Sequence, residues 1–391
     1  MDLRDEERMK ARVALLRCDS YNETAVDRAV ERGLEMLGGA DAFVKPGEQI
    51  LLKPNLLVPE LPKKCVTTHP SVFRAVAKVL QANGAVLSYG DSPAVGSTLR
   101  AARKAGIHEV AEAMGIPIAD FKTGVEIFFE AGHQNRKFVI AQGVLDSDGV
   151  VSLPKLKTHA LERFTGCVKN QFGCVPGILK GEYHVKLPDP NDFGKMLVDL
   201  NCFIHPRLYV MDGITAMEGN GPRGGTPRQM NLLLFSADPV ALDATVCRLV
   251  NMNPENVPTI RFGQEFGAGT YLEDAIELVG DPFDDFLDRE FKIERRPVAA
   301  SQSQGFVRWI NNRLVPKPVI APESCTCCGT CVQMCPVEPK ALHWKDGDQD
   351  SPPVYDYGDC IRCYCCQELC PESAIRAVKP PLRRLLDLLP L

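Results

Sequence analysis

Residues 50–89 read ILLKPNLLVPELPKKCVTTHPSVFRAVAKVLQANGAVLSY and contain a strand pattern, a helix pattern and a second strand pattern in succession. The short apolar runs at 50–53 and 85–89 predict the two strands. Between them, residues 70–83 carry apolar side chains at helical spacing and begin with proline, which suits the first position of a helix. A strand, a helix and a strand in this order are typical of an α/β protein.

The same alternation extends over most of the chain. We predict further strands at residues 12–17, 149–153, 207–211 and 231–235, and further helices at 24–37, capped by Thr24, and directly after Asp238. The helix after Asp238 is apolar almost all round, as a helix buried on every side should be. We therefore expect an α/β domain at residues 1–293, with a layered, largely parallel sheet covered on both faces.

The composition excludes several classes of protein. Of the 391 residues, 45% are hydrophobic and 24% are charged, which is typical of a globular protein and not of a disordered or fibrous one. The 45 basic and 50 acidic residues give a net charge of −5, so nothing indicates nucleic acid as a partner. No apolar run reaches the roughly 18 residues that span a bilayer, and no signal peptide is evident. We expect a soluble cytoplasmic protein without a transmembrane segment.

The helix and strand patterns stop near residue 294. Residues 294–318 are rich in Arg, Pro, Ser and Gln, which is typical of a linker. Ten of the sixteen cysteines then fall within residues 319–391. We predict a second, small domain there.

This second domain contains the pattern C-x2-C-x2-C-x3-C-P twice, ending at Pro336 and at Pro371. The double pattern is that of bacterial ferredoxins with two [4Fe-4S] clusters, in which the fourth cysteine of each run binds the other cluster. Three thiolates on one tight loop reach three corners of a cluster, and the cysteine before proline points away from it. We predict a ferredoxin-like α+β domain with two [4Fe-4S] clusters. The expected ligands are Cys325, Cys328, Cys331 and Cys370 for the first cluster, and Cys360, Cys363, Cys366 and Cys335 for the second.

Zinc and disulfide bonds are the other common uses of clustered cysteines. Zinc sites usually contain two cysteine pairs separated by a longer loop, and nothing indicates secretion, where disulfides form. Cys327 and Cys365 each precede a predicted ligand and are left over, either as ordinary buried thiols or as contacts that shift a cluster potential. Because so small a core needs its clusters as cross-links, we expect the module not to fold without iron.

Polar side chains follow the predicted strands of the α/β domain. Ligands of such domains bind at the carboxyl ends of the strands, and cationic and amide groups there suit a carboxylate or a phosphate. A single lysine at a strand end can also simply extend into solvent, so the set is more informative than any member. We predict substrate-binding roles for Lys53, Asn55, Lys157, Lys169, Asn170 and Glu218.

Two histidines and an aspartate are the predicted catalytic residues. His69 stands at the expected N-cap of the helix at 70–83, where Ser, Thr, Asp or Asn is usual, so it is either a packed cap or a group that transfers protons. His159 leaves the same two alternatives, and Asp91 follows the strand at 85–89. Asp243 is also unusual, because it is a charged residue inside an otherwise apolar helix.

Several short motifs occur together with the double cysteine run. They are LKPN (52–55), THP (68–70), GDSP (90–93), PKLKTH (154–159), TGCVKNQFG (165–173), DGI and EGNGP (within 212–222) and DPVALDA (238–244). With this combination the chain resembles the uncharacterised family called domain of unknown function 362, which is often fused to a ferredoxin module and common in anaerobes. The resemblance covers roughly residues 10–260 and the C-terminal module. It implies an iron–sulfur protein with an α/β domain, and it implies no settled reaction or site residues.

Three functional hypotheses follow. In the first, the protein is a redox enzyme whose two clusters pass electrons from a redox partner protein, or another low-potential donor, to a small anionic substrate, and His69 or His159 transfers protons. In the alternative, it is a non-catalytic electron-transfer or assembly protein whose α/β domain docks a partner. The third hypothesis is a metal-dependent hydrolase that uses Asp91, His69 and Glu218.

Overall fold

The computed structural model describes residues 10–177, 179–298 and 314–386. The strands of the α/β domain are β1 Ala11–Arg17, β2 Gln49–Pro54, β3 Val86–Tyr89, β4 Gly124–Phe128, β5 Lys137–Ala141, β6 Gly149–Leu153, β7 Lys155–His159, β8 Arg163–Thr165, β9 Leu208–Glu218, β10 Thr226–Ser236 and β11 Ile276–Gly280. Its helices are α1 Glu23–Met36, α2 Pro70–Ala82, α3 Thr98–Lys104, α4 Ile107–Ala113, α5 Gln142–Leu145, α6 Cys167–Asn170, α7 Leu179–Lys186, α8 Pro190–Ile204, α9 Pro239–Leu249 and α10 Pro258–Glu265.

The central sheet has the strand order β11-β1-β10-β9-β6-β2-β3, and β7 and β8 extend it beside β9. Strands β9, β6, β2 and β3 run parallel, as do β7 with β9 and β11 with β1. Strand β10 is antiparallel to both of its neighbours, and β8 is antiparallel to β7. The prediction of an α/β fold with a largely parallel sheet is confirmed.

Side chains alternate between two hydrophobic cores along the central strands. In β10, Leu233 and Phe235 lie in the core that contains the apolar side chains of α1 and α2, whereas Leu232 and Leu234 lie in the core that contains those of α9. Successive residues of a strand point to opposite faces of the sheet. Helices therefore cover both faces, as the sequence predicts.

The helix caps agree with the sequence at two of three predicted positions. His69 is the N-cap of α2, and Asp238 is the N-cap of α9. The prediction of Thr24 as the cap of α1 is wrong: the cap is Asn22, whose side-chain oxygen accepts hydrogen bonds from the backbone N–H groups of Thr24 and Ala25. An amide oxygen at this position satisfies the free donors of the first turn.

Asp243 has a structural partner that the sequence does not reveal. Its carboxylate accepts a 2.8 Å hydrogen bond from the backbone N–H of Cys167, at the first turn of α6. Burial raises the pKa of Asp243 to about 7. The charged residue in the apolar helix α9 thus fixes the start of α6, which carries Lys169 and Asn170.

The C-terminal module contains two small antiparallel sheets. Strands β12 Lys317–Ile320 and β15 Ile375–Val378 form one, and β13 Leu342–His343 and β14 Val354–Tyr355 form the other. Short helices at Thr330–Gln333 and Cys365–Leu369 follow the two cysteine loops, and a last helix begins at Pro381. Residues 299–313 of the predicted linker lie outside the described residues.

Polar contacts hold the second cysteine run against the loop between β9 and β10. Gln367 donates to the carbonyl oxygens of Asn220 and Gly221, at 2.9 and 3.0 Å. Arg223 donates to the carbonyl oxygen of Leu369 at 2.8 Å and forms an ion pair with Glu60 at 2.7 Å. These contacts place the helix Cys365–Leu369 over the carboxyl ends of the sheet strands.

Candidate functional site

A cavity of about 270 Å³ lies between the strand ends and the C-terminal module. The α/β domain contributes its polar wall, formed by Asn55, Asp91, Ser92, Lys157, His159, Thr165, Lys169, Asn170, Lys180 and His184. The module contributes the opposite wall, formed by Met334, Cys335, Pro336, Cys365, Glu368 and Leu369. Predicted substrate-binding residues and the cysteine runs therefore line the same cavity.

The sheet topology brings these residues together. Strands β2, β3 and β6 are parallel neighbours, so their carboxyl ends meet at one edge, where ligands of α/β domains bind. Asn55 and Asp91 follow β2 and β3, while Lys157 and His159 belong to β7, which continues from β6. The cavity lies at the strand ends, where the sequence predicts a ligand site.

Lys53 lies behind the cavity wall. Its side chain is fully buried, and its Nζ atom is 2.9 Å from Oδ1 of Asp91. The second oxygen of Asp91 accepts from the backbone N–H of Leu56 at 2.7 Å. Both Asp91 oxygens thus have partners, and the pair of Lys53 and Asp91 connects the ends of β2 and β3. Asn55 and Asp91 line the cavity, whereas Lys53 does not.

Lys157 is buried in the cavity wall without a carboxylate partner. Its ammonium group donates to Oδ1 of Asn55 at 2.7 Å and to the carbonyl oxygen of Val66 at 2.6 Å. Burial, and next the nearby positive charge of Lys169, lower the pKa of Lys157 to about 7. An ammonium group has three N–H donors, so one remains after these two hydrogen bonds.

His159 is held in one orientation by the backbone. Its Nδ1 atom accepts from the N–H groups of Leu161 and Glu162, at 3.1 and 3.2 Å. In the neutral ring the hydrogen is therefore on Nε2, which lies 2.7 Å from Oε1 of Glu368. Burial lowers the pKa of His159 to about 4, so the ring is neutral at pH 7.

Glu368 comes from the cysteine module. It is buried, and although burial alone raises the pKa of a carboxyl group, His159 and Lys169 keep the pKa of Glu368 below its usual range. The carboxylate is thus charged. The contact between His159 and Glu368 connects the end of β7 with the helix of the second cysteine run.

Two further lysines of the cavity differ in their partners. Lys180 donates to the carbonyl oxygens of Ser92 and Val175 and to the hydroxyl of Ser92, which occupies all three of its donors. Lys169 lies over the rings of Phe172 and Phe193, with its Nζ atom 5.7 and 5.9 Å from their centroids. The ring of His184 stacks on the ring of Phe193, with the two centroids 4.4 Å apart.

His69 and Glu218 do not line this cavity. His69 accepts from the backbone N–H of Ser71, and its ring stacks on Tyr21 at 3.6 Å. Glu218 accepts from the backbone N–H of Lys292 at 2.8 Å. The three residues of the hydrolase hypothesis, Asp91, His69 and Glu218, thus have three different sets of partners, and among the described residues no group of three or more His, Cys, Asp or Glu side chains is arranged to hold one metal ion.

The two cysteine loops have the same backbone conformation at corresponding positions. The second residue after the first cysteine has a positive φ in both, Cys327 at 54° and Arg362 at 60°. The fourth residue after the first cysteine also has a positive φ in both loops, Gly329 at 72° and Tyr364 at 62°. The two loops therefore turn at the same positions, and all sixteen cysteines of the chain are free thiols.

The thiols of the first predicted ligand set lie at one depression, which Cys327 also lines. Cys325, Cys328, Cys331 and Cys370 line one depression, in which the fourth cysteine comes from the other run. A [4Fe-4S] cluster binds four thiolates at four separate irons, so it requires a ring of sulfurs and not convergence on one point. The backbone N–H of Ala374 donates a hydrogen bond to the sulfur of Cys370 in the first predicted set, at 3.3 Å. The hydroxyl of Tyr355 donates one to the sulfur of Cys366 in the second predicted set, also at 3.3 Å. Such hydrogen bonds tune cluster potentials.

The polar residues Lys180, His184, Thr165 and Glu368 line the cavity but are absent from the sequence prediction. Lys180 and His184 are four residues apart on α7, a spacing that places two polar side chains on one helix face and could have indicated them. Thr165 lies inside the quoted motif TGCVKNQFG. Glu368 lies between two predicted cysteine ligands in the sequence. Its contact with His159 could not be predicted, because the two residues are about 200 positions apart.

Comparison with known proteins finds proteins that are similar to this chain. A thylakoid-associated protein of Synechocystis sp. is 40% identical over 256 residues, which is 65% of this chain and 79% of that protein. The lactate racemase apoprotein from Thermoanaerobacterium thermosaccharolyticum matches 64% of this chain at 14% identity and a TM-score of 0.41, and this chain spans 59% of that one. Within the described part of the chain, no helix has the length and apolar character to cross a bilayer. Residues 50–248 match the family described as Domain of unknown function (DUF362), and the chain belongs to this family.

Proposed function

We propose that this protein is an iron–sulfur redox enzyme that reduces a small anionic substrate in the cavity between its α/β domain and its cysteine module. The observation that carries the proposal is the shared wall: Lys157 and His159 face the same space as Cys335 and Cys365. Cys335 belongs to the second predicted ligand set. A substrate in the cavity would therefore be next to that set.

The cysteine sets would hold two [4Fe-4S] clusters, which supply single electrons. The paired loop conformations support this assignment, as does the depression that the first predicted ligand set lines together with Cys327. A reduced low-potential partner protein is the expected electron source. Cys328 is exposed, so the first ligand set is the one nearer to such a partner.

The residues of the cavity would bind the substrate and move protons. Reduction by two electrons requires two protons, of which Lys157 supplies one from its third N–H and water supplies the other. A group whose pKa is near 7 is suited to this role, and burial gives Lys157 such a pKa. His159 is a positioning residue in this scheme, because its Nδ1 is occupied by backbone donors and its Nε2 faces Glu368.

The first experiment is anaerobic purification with iron and sulfide analysis. Two [4Fe-4S] clusters require about eight iron and about eight sulfide ions per chain. Two zinc ions and no sulfide would overturn the proposal. A cytoplasmic location, which the sequence predicts, suits sixteen reduced thiols.

The second experiment separates an enzyme from an electron carrier. The reduced protein is mixed with a protein-free extract of small metabolites, and reoxidation is followed by absorbance. We expect reoxidation in the wild type and in the control Lys122→Met, which changes an exposed lysine, and its loss in Lys157→Met with unchanged iron content. Reoxidation by proteins alone would favour the non-catalytic alternative.

A further inference from the structure

Lys169 is a cation in the cavity whose ammonium group forms no ion pair with the described residues. Within residues 10–177, 179–298 and 314–386 its ammonium group makes no hydrogen bond, and it lies over two phenylalanine rings. Its charge lowers the pKa of the nearby carboxyl groups of Glu162 and Glu368 without forming an ion pair with either of them. A ring face attracts the charge of an ammonium group but accepts no conventional hydrogen bond from it. The N–H donors of Lys169 are therefore free to bind a ligand.

Thr165 is a second polar group of the cavity without a partner. Its side chain is 5% exposed and lines the cavity, and its hydroxyl makes no hydrogen bond to any part of the chain that the structure describes. A buried hydroxyl without a partner is costly. A ligand that accepts from this hydroxyl removes the cost.

Not every lysine of the cavity has N–H donors without a protein acceptor. Lys180 also lines it, but three protein oxygens accept from its ammonium group. Apolar side chains form much of the remaining surface, among them Leu57, Ala94, Met334 and Leu369. An inorganic ion would leave these side chains facing water, whereas an organic ligand would cover them.

We propose that Lys169 and Thr165 anchor an organic oxyanion, a carboxylate or a phosphate monoester, that is carried on an apolar body. This inference rests on the proposed function in that it concerns the same cavity, and it names the class of substrate. The anionic group accepts from Lys169 and Thr165. The apolar body lies against the leucine and methionine side chains of the opposite wall.

Isothermal titration calorimetry with four probes tests the inference on the full chain purified anaerobically. Benzoate has both the anion and the apolar body, benzamide lacks the charge, acetate lacks the body, and phenyl phosphate carries the other anion on the same body. We expect benzoate or phenyl phosphate to bind at least about tenfold more tightly than benzamide and acetate. The tighter of the two anions identifies the anionic group.

Variants of the anchor provide the second part of the test. Lys169→Gln should weaken binding of the tighter anion about 10- to 100-fold, and Thr165→Val about 3- to 10-fold. The matched control is Lys195→Gln, which removes a lysine that also lies over an aromatic ring, Phe262, but outside the cavity. Iron content and thermal unfolding confirm that each variant is folded.

Three results would overturn the inference: equal affinity for benzoate and benzamide, unchanged affinity in Lys169→Gln, or no binding of either anion at about 10 mM. The proposed function fails separately. Anion binding that depends on Lys169, in a protein that small molecules do not reoxidise, would support anion binding by Lys169 and contradict the proposed reductase activity. Reoxidation by small molecules that is unaffected by Lys169→Gln would support the reductase activity and contradict anion binding by Lys169.

Discussion

Two lysines of strand β7, Lys155 and Lys157, are both 1% exposed and yet have opposite surroundings. Lys155 forms an ion pair with Asp212 at 2.8 Å and donates to the hydroxyl of Tyr21 at 2.8 Å. Although burial lowers the pKa of a lysine, the charge of Asp212 raises the pKa of Lys155 above its usual range. The acceptors of Lys157 are neutral, and its pKa is lowered to about 7.

The pairing of β7 with β9 explains the difference. Lys155 is opposite Asp212, but the register then shifts, so that Lys157 is opposite Met217. The first lysine meets a carboxylate that is also bound by Tyr21 and by the backbone N–H of His69. The second faces the cavity. Burial of a lysine therefore does not by itself indicate a functional site; the missing countercharge does.

The largest effect is expected from removing the carboxylate of Asp212, the counterion of Lys155. Asp212→Ala leaves the charge of Lys155 buried without a counterion, and breaking a buried ion pair in this way costs about 3–5 kcal/mol of unfolding free energy. Tyr21 and His69 also lose an acceptor. Denaturant unfolding of the variant measures the loss.

A double variant distinguishes the buried charge from the lost packing. Asp212→Leu combined with Lys155→Met removes both charges, and we expect it to recover at least about 1 kcal/mol relative to Asp212→Ala. If Asp212→Ala lowers the free energy of unfolding by less than about 1 kcal/mol, Asp212 does not compensate the buried charge of Lys155.

The next effect is the difference between Lys155→Met and Lys157→Met. The first leaves Asp212 charged and buried, with an expected loss of about 3 kcal/mol. The second removes a buried ammonium group that has neutral acceptors, so the lost hydrogen bonds and the relieved desolvation offset each other to within about 1 kcal/mol. Equal destabilisation by the two substitutions would contradict the comparison.

The sequence predicts the sheet and the strand-end site for one physical reason. Apolar periodicity defines strands and helices, and parallel strands bring their carboxyl ends together. Asn55, Lys157, His159, Lys169 and Asn170 therefore line one cavity, as expected. The helix after Asp238, which is apolar almost all round, likewise predicts that both faces of the sheet are covered.

The partners of each charge could not be predicted, because they are remote in sequence or depend on register. Glu368 reaches His159 across the module boundary, and the β7 register shift separates Lys155 from Lys157. His69 occupies the predicted cap position, but only the fold shows that it stacks on Tyr21 outside the cavity. Local patterns define elements, whereas charge compensation requires tertiary contacts.

The smallest effect concerns Glu162, a buried carboxyl group near Lys169 whose oxygens make no hydrogen bond to the described residues. Burial raises the pKa of Glu162 from 4.5 to about 8. Between these pH values the folded state holds a proton that the unfolded state has released, so this residue makes stability fall as pH rises. Glu162→Gln removes that dependence, because an amide does not titrate.

We therefore expect the stability gained by Glu162→Gln to increase by at least about 1 kcal/mol between pH 5 and pH 8. Denaturant unfolding at the two pH values measures this increase, and Glu35→Gln, at an exposed position of α1, is the matched control. A gain that is the same at both pH values would mean that Glu162 is charged in the folded protein and that Lys169 compensates it. Lys169 would then resemble Lys155 more than Lys157, because its countercharge would come from the chain and not from a ligand.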